Sequence, residues 1–135
     1  MKGDKEPMRQ ILMDRMKDAS TQDAFCFTLR CEECRKVWHG APVPFSKAGV
    51  TPSTEGKRII YNTLYEKEKR YALEKTAGEG ERLFNVCPIC GRLVCDECFM
   101  ICDDIDICCA CATRLNEPGE VVGGKQGGGC SPECA

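Results

Sequence analysis

Eight cysteines fall in four C-x-x-C pairs, Cys31/Cys34, Cys87/Cys90, Cys95/Cys98 and Cys108/Cys111, and nothing else in the chain limits its fold so strongly. The second and third pairs share one run, CPICGRLVCDEC, with four residues between them. Thiols this close form disulfides, a redox centre or a set of metal ligands. Compartment separates these readings. The N-terminal MKGDKEPMRQILMDRMKDAS lacks the uninterrupted apolar stretch of a secretory signal. No run of about 18 apolar residues, the length of a spanning helix, occurs anywhere. A cytosolic chain without a membrane role is therefore expected, and there thiols stay reduced and C-x-x-C pairs bind metal. The odd total of 13 cysteines also argues against a closed disulfide framework.

Core size points the same way. Only 9 of 135 residues are aromatic, too few for a large close-packed core, and small domains short of apolar surface commonly add metal. Eight thiolates are enough for two closed tetrahedral Zn²⁺ sites. The fold class expected is a small α+β, zinc-stabilised treble-clef or zinc-ribbon-like domain binding two zincs.

Residues 1–24 are polar and charged, but Met8, Ile11, Leu12 and Met16 recur at helical spacing and predict a short docking helix. Residues 25–118 are expected to form the double zinc domain. It opens with AFCFTLRCEECRKVWHG, whose alternation predicts a hairpin carrying a zinc knuckle at Cys31/Cys34. APVPFSKAGVTPSTEG reads as a loop. KRIIYNTLYEKEKRYALEKTA predicts a helix inserted between the first and second pairs, over about residues 55–80, with Ser53 or Thr54 as cap. Ile60, Leu64, Tyr71 and Ala72 mark its apolar side, and Glu66 to Arg70 a solvated face with helical ion pairs. Gly78 and Gly80 predict a break or fraying. RLFNVCPICGRLVCDECF returns to strand and knuckle, and DDIDICCACATRLNEP sets Cys108/Cys111 at the start of a short helix. Residues 119–135 read as a flexible Gly-rich tail.

Spacing leaves the pairing of thiols open. The spacer GRLV, as an extended strand, spans on the order of 15 Å at about 3.3 Å per residue, so neighbouring pairs need not share an ion. Sequential and interleaved pairing both satisfy that limit.

CPICGRLVCDEC followed by IDICCACATRL resembles the second half of a FYVE-type zinc finger. That resemblance implies interleaved, cross-brace ligation: Cys31, Cys34, Cys95 and Cys98 on one zinc, and Cys87, Cys90, Cys108 and Cys111 on the other. Two departures matter. The 52 residues between Cys34 and Cys87 far exceed the family's spacer. The basic strand that binds phosphoinositides in that family is missing, since ERLFNVCPIC supplies only Arg82, so a lipid role does not carry over.

Among the remaining candidates, Cys108 is preferred to Cys109 because it gives the x-x spacing to Cys111. Cys26, in an alternating strand, and Cys102 read as small buried hydrophobes. Cys130 and Cys134 form a C-x-x-x-C that a further metal or a redox pair would fit, though a passive tail is the simpler reading. His39 reads as a polar loop residue rather than a substitute ligand.

A four-thiolate zinc leaves no position for water or substrate, so it folds a domain instead of performing chemistry. One histidine supports no Ser/His/Asp set, and a non-enzyme is expected. Nucleic acid is disfavoured as partner. The formal net charge is −2, and two tetrathiolate zincs would bring it to about −6, against the clustered cations that binding needs. Arg30, Arg35, Lys36, Lys67, Lys69 and Arg70 are interleaved with acids. Thiol redox fits poorly, because no thioredoxin-like βαβ pattern surrounds the pairs. The expectation is a zinc-binding scaffold or adaptor for a protein partner. Trp38, Phe45, Tyr61, Tyr65 and Tyr71 are its candidate anchors, unless they close the core.

Overall fold

A computed structural model describes residues 2–123. The chain divides into two units, one from Met1–Leu29 with Trp38–Gly80, the other from Arg30–Val37 with Glu81–Ala135. Composition placed boundaries near residues 24 and 118. The contacts instead put the N-terminal helix and the inserted helix in one unit, because neither carries a thiol pair and each needs the other to bury its apolar stripe.

In the first unit, α1 (Lys2–Arg15) packs on α2 (Glu55–Gly80). Leu12 of the predicted stripe is fully buried. Between them run the short strands β1 (Lys17–Asp18), β2 (Ala24–Phe25), β3 (Phe27–Arg30), β4 (Val37–His39) and β5 (Val43–Pro44). β2 pairs antiparallel with β5, and β3 lies between β1 and β4. Phe25, Phe27 and Leu29 are buried, as strand alternation requires. The same period places Cys26 on the opposite face, half-exposed instead of buried. Its backbone N–H donates to Ser20 Oγ at 3.0 Å.

An aromatic cluster forms this unit's core. Phe45 meets Phe25, Tyr61 and Tyr65 at ring-centroid distances of 5.6, 5.3 and 5.1 Å, all near edge-to-face, where opposed ring quadrupoles attract. Three of the five candidate anchors are thus committed to closing the core, while Tyr71 is 61% exposed. Thr54 caps α2, its Oγ1 accepting from the Lys57 N–H at 3.1 Å. Ion pairs run along its outer face from Arg70 to Glu74 and from Lys75 to Glu79, and Lys69 reaches Asp18 at 2.5 Å. Ile60, at 59% exposure, stays outside, and burial falls on Ala72, Thr76, Ala77 and Gly80. α2 runs through Gly78 and stops at Gly80, so the expected break falls there, and a turn over residues 81–83 leads into the next strand. Close packing also favours glycine at that end: a Cβ on Gly80 would lie 2.9 Å from buried Leu29 Cδ1 and 3.4 Å from the Trp38 ring.

The second unit carries the knuckle between β3 and β4, then β6 (Phe84–Val86) and β7 (Leu93–Cys95), paired antiparallel with Val86 opposite Leu93. A single 3₁₀ turn (Asp96–Cys98) leads into β8 (Phe99–Cys102), which pairs with β9 (Ile107–Cys108). α3 (Cys109–Leu115) follows and ends on Asn116 in the left-handed conformation. The chain does not turn into a tail at residue 119: β10 (Gly119–Val121) adds to β8, with Gly119 opposite Cys102. A Cβ at Gly119 would clash with Cys102 Sγ at 2.9 Å, which explains glycine there. No helix among the described residues is long and apolar enough to cross a membrane.

Gly78 and Gly80, both in the last turn of α2, predict opposite outcomes for one substitution. Gly78 faces only the Arg9 guanidinium, at 3.4 Å, so Gly78→Ala should stabilise by about 0.5–1 kcal/mol through helix propensity. Gly80→Ala should destabilise by about 1 kcal/mol or more through overpacking. Melting temperatures of the two variants check both signs.

Candidate metal centres

Cys31 and Cys34 lie between β3 and β4, Cys87 and Cys90 between β6 and β7, and the two turns are built alike. The Cys31 N–H donates to Lys36 O at 2.9 Å and the Arg35 N–H to Cys31 O at 2.8 Å. Likewise the Cys87 N–H donates to Arg92 O at 3.0 Å and the Gly91 N–H to Cys87 O at 2.7 Å. Each turn needs a left-handed residue just after its second cysteine, Arg35 at φ 68° and Gly91 at φ 77°. For arginine that conformation costs about 1–2 kcal/mol, tolerated because it turns both thiols inward.

The other two pairs come from the sheet and helix. Cys95 ends β7 and Cys98 ends the 3₁₀ turn. Cys108 ends β9 and caps α3, its sulfur accepting from the Cys111 N–H at 3.4 Å.

The four sulfurs of Cys31, Cys34, Cys95 and Cys98 all lie within 4.8 Å of one another, and so do those of Cys87, Cys90, Cys108 and Cys111. This is the interleaved grouping of the two that spacing allowed. β7 makes it necessary, because it carries the chain from the second knuckle to Cys95 beside the first. Cys34 and Cys95 sulfurs stand 3.8 Å apart, as do those of Cys90 and Cys108. A disulfide would need about 2.05 Å, whereas the corners of a tetrahedron with metal–sulfur bonds of about 2.3 Å are about 3.8 Å apart. All cysteines among the described residues are free thiols. Either tetrad can hold a metal ion.

Charge makes a cation the natural occupant. Without one, four thiols at this distance ionise only in part. Hydrogen bonds from the Cys95 and Cys98 thiols, with backbone N–H groups of Cys34 and Cys95, outweigh burial and hold Cys31 far below the thiol range. Hydrogen-bonded to that thiolate, Cys95 is pushed up to about 12. In the second tetrad burial opposes ionisation of Cys90, yet the Arg92 N–H and guanidinium bring it down to about 7. Burial pushes Cys108 and Cys111 up. A divalent cation removes the conflict by stabilising all four thiolates together.

Around these sulfurs stand groups that sequence reasoning missed. Arg92 donates to Cys108 Sγ at 3.8 Å and Arg114 to Cys111 Sγ at 3.2 Å. Two guanidiniums thus offset the net negative charge that four thiolates and a divalent cation would leave. Glu33, between Cys31 and Cys34, is only 2% exposed and pairs with Arg92 at 2.9 Å. A buried acid inside a C-x-x-C turn was visible as CEEC, but its partner was not.

The remaining candidates fall outside both groups. Cys109 is buried, its thiol donating to Glu97 O at 3.9 Å, and it joins neither tetrad. Cys102 is buried on β8, and burial, with Glu117, Asp106 and Asp103 nearby, pushes its thiol up, so it stays protonated and inert. His39 is exposed on β4 and joins neither group. Cys130 and Cys134 lie outside the described residues.

Since Cys95, Cys108 and Cys111 hold their protons at neutral pH and only thiolates ligate, adding zinc to the reduced, metal-free chain should release protons. Apparent affinity should rise with pH, and it should fall more steeply below about 7, where Cys90 takes up its proton as well. Calorimetry in buffers of different ionisation enthalpy measures the release, and a pH-independent affinity would contradict it. Compared with family models, with curated proteins and with solved structures, the chain finds no match, so function has to be read from the two tetrads themselves.

Proposed function

We propose that this chain is a non-catalytic cytoplasmic scaffold whose second unit folds around two zinc ions and whose first unit receives a protein partner. The observation that carries the reading is the pair of all-cysteine tetrads at tetrahedral separation. Tetrahedral thiolate sets suit zinc, and four protein ligands close the ion to water and substrate. The order of the knuckle, the β8–β9 hairpin and α3 supports a treble clef around the second tetrad, and the interleaving supports a FYVE-like cross-brace. The acidic balance supports a protein partner over nucleic acid.

A groove in the first unit supports the adaptor role. Its cavity is about 330 Å³, floored by Pro52, Tyr61 and Leu64 and rimmed by Lys47, Val50, Lys57 and Ile60. Val50 and Ile60 are at least half exposed, an arrangement that suits an apolar anchor on a partner.

Two experiments test the reading. In native mass spectrometry the reduced chain should carry two zincs. Cys95→Ser or Cys108→Ser should lose metal and unfold the second unit, since a structural zinc contributes about 10–16 kcal/mol. Cys26→Ser should do neither. Equal melting temperatures for wild type and Cys108→Ser, or a folded chain with reactive thiols and no metal, would sink the scaffold and favour redox chemistry. For the groove, a photo-cross-linking residue at Ser53 should capture a cytosolic partner, and Ile60→Asp should cut the yield about tenfold or more. Unchanged yield would move the partner's site elsewhere.

A further inference from the structure

We propose that Glu33 and Arg92 couple the two tetrads, so that they fill with metal as one unit and the one-metal form is suppressed. The proposal rests on reading the tetrads as zinc sites. It adds a role for residues that ligate nothing.

Both residues inside the first C-x-x-C reach the segments that build the second tetrad. The Glu33 side chain is 1% exposed. Its Oε1 accepts from Arg92 Nη2 at 2.9 Å and from the Ala110 N–H at 3.4 Å. Arg92 closes the second knuckle, and Ala110 sits between Cys108 and Cys111. One carboxylate from the first tetrad's knuckle is therefore held by the two segments that supply the second tetrad's four sulfurs. Arg92 returns the connection: Nη1 donates to Glu32 O at 3.2 Å, while Nη2 also faces Cys108 Sγ at 3.8 Å. Glu32 adds a two-point clasp on β7, its N–H donating to Leu93 O at 2.7 Å and its Oε1 accepting from the Leu93 N–H at 3.0 Å.

Coupling follows from the cost of a buried charge. A carboxylate out of water is tolerated only while it is paired and hydrogen-bonded. Its partners converge when the second knuckle and the start of α3 are drawn onto a common ion. With the second tetrad empty, Arg92 and Ala110 are free to separate. Glu33 then either loses these two contacts in place or swings out and carries Cys31 and Cys34 with it. Metal in either tetrad therefore prepares the other, and the effect is reciprocal by linkage. The second zinc should bind about ten- to a hundredfold more tightly than the first.

The test is native mass spectrometry of the reduced, metal-free chain during zinc titration. Wild type should pass from the zero-zinc to the two-zinc form with little one-zinc species, and a chelator should strip the loaded chain in a single phase. Glu33→Gln keeps the shape and removes the charge, and Arg92→Gln removes the guanidinium. Both should still bind two zincs, with the one-zinc species rising toward the binomial distribution of independent sites and release becoming biphasic. A dominant one-zinc species in wild type, or biphasic release from it, overturns the coupling without needing any variant to fold. Cooperative filling that survives in both variants also overturns it, placing the coupling in the interleaved backbone. A wild-type chain that takes up fewer than two zincs instead overturns the scaffold reading beneath it.

Discussion

Four sulfurs held within 4.8 Å of one another, twice, impose the condition on which the rest of the second unit depends. Thiolates at that distance repel, and hydrogen bonds between the sulfurs share the protons unevenly: donors on Cys95 and Cys98 drive Cys31 down, while bonding to Cys31 drives Cys95 up to about 12. A divalent cation held there would turn the repulsion into a cross-link. Short strands such as β7 and β9, with three and two residues, would not hold a fold by backbone pairing alone. Ligation by a shared ion would give such elements a stabilisation that little apolar area could supply.

Local backbone chemistry aims the thiols. Both knuckles use the same pair of backbone hydrogen bonds and a left-handed residue after the second cysteine, Arg35 in one and Gly91 in the other, and each aims two thiols at one point. Backbone N–H groups of Glu33, Cys34 and Cys95 point at Cys31 Sγ at 3.3–3.4 Å. Around the second tetrad guanidiniums from Arg92 and Arg114 take over that work. One centre is thus compensated mainly by peptide dipoles and the other by full charges.

The first unit solves its stability problem without thiols. Its few aromatics are concentrated where Phe25, Phe45, Tyr61 and Tyr65 interlock, and α1 packs on α2, which buries Ala72, Thr76, Ala77 and Gly80. Sparse aromatics therefore did not mean a missing core. They meant one small cluster, with the aliphatic rim of the groove left exposed beside it.

How much was legible beforehand depended on the range of the interaction responsible. C-x-x-C spacing, the strand alternation of AFCFTLR, the Thr54 cap and the span of α2 act over a few residues, and the sequence by itself determined them. It also determined that eight thiols would be available and which they were. Grouping was different, because Cys34 and Cys95 are 61 residues apart and only the path of β7 brings them together. The same holds for Glu33 and Arg92, 59 residues apart, and for β10, which pairs with β8 where composition suggested a tail. That α2 stops near its two C-terminal glycines was legible, but not the close approach of Leu29 and Trp38 to Gly80. Spacing settles what a segment can offer, and tertiary contacts between distant segments decided which offers meet.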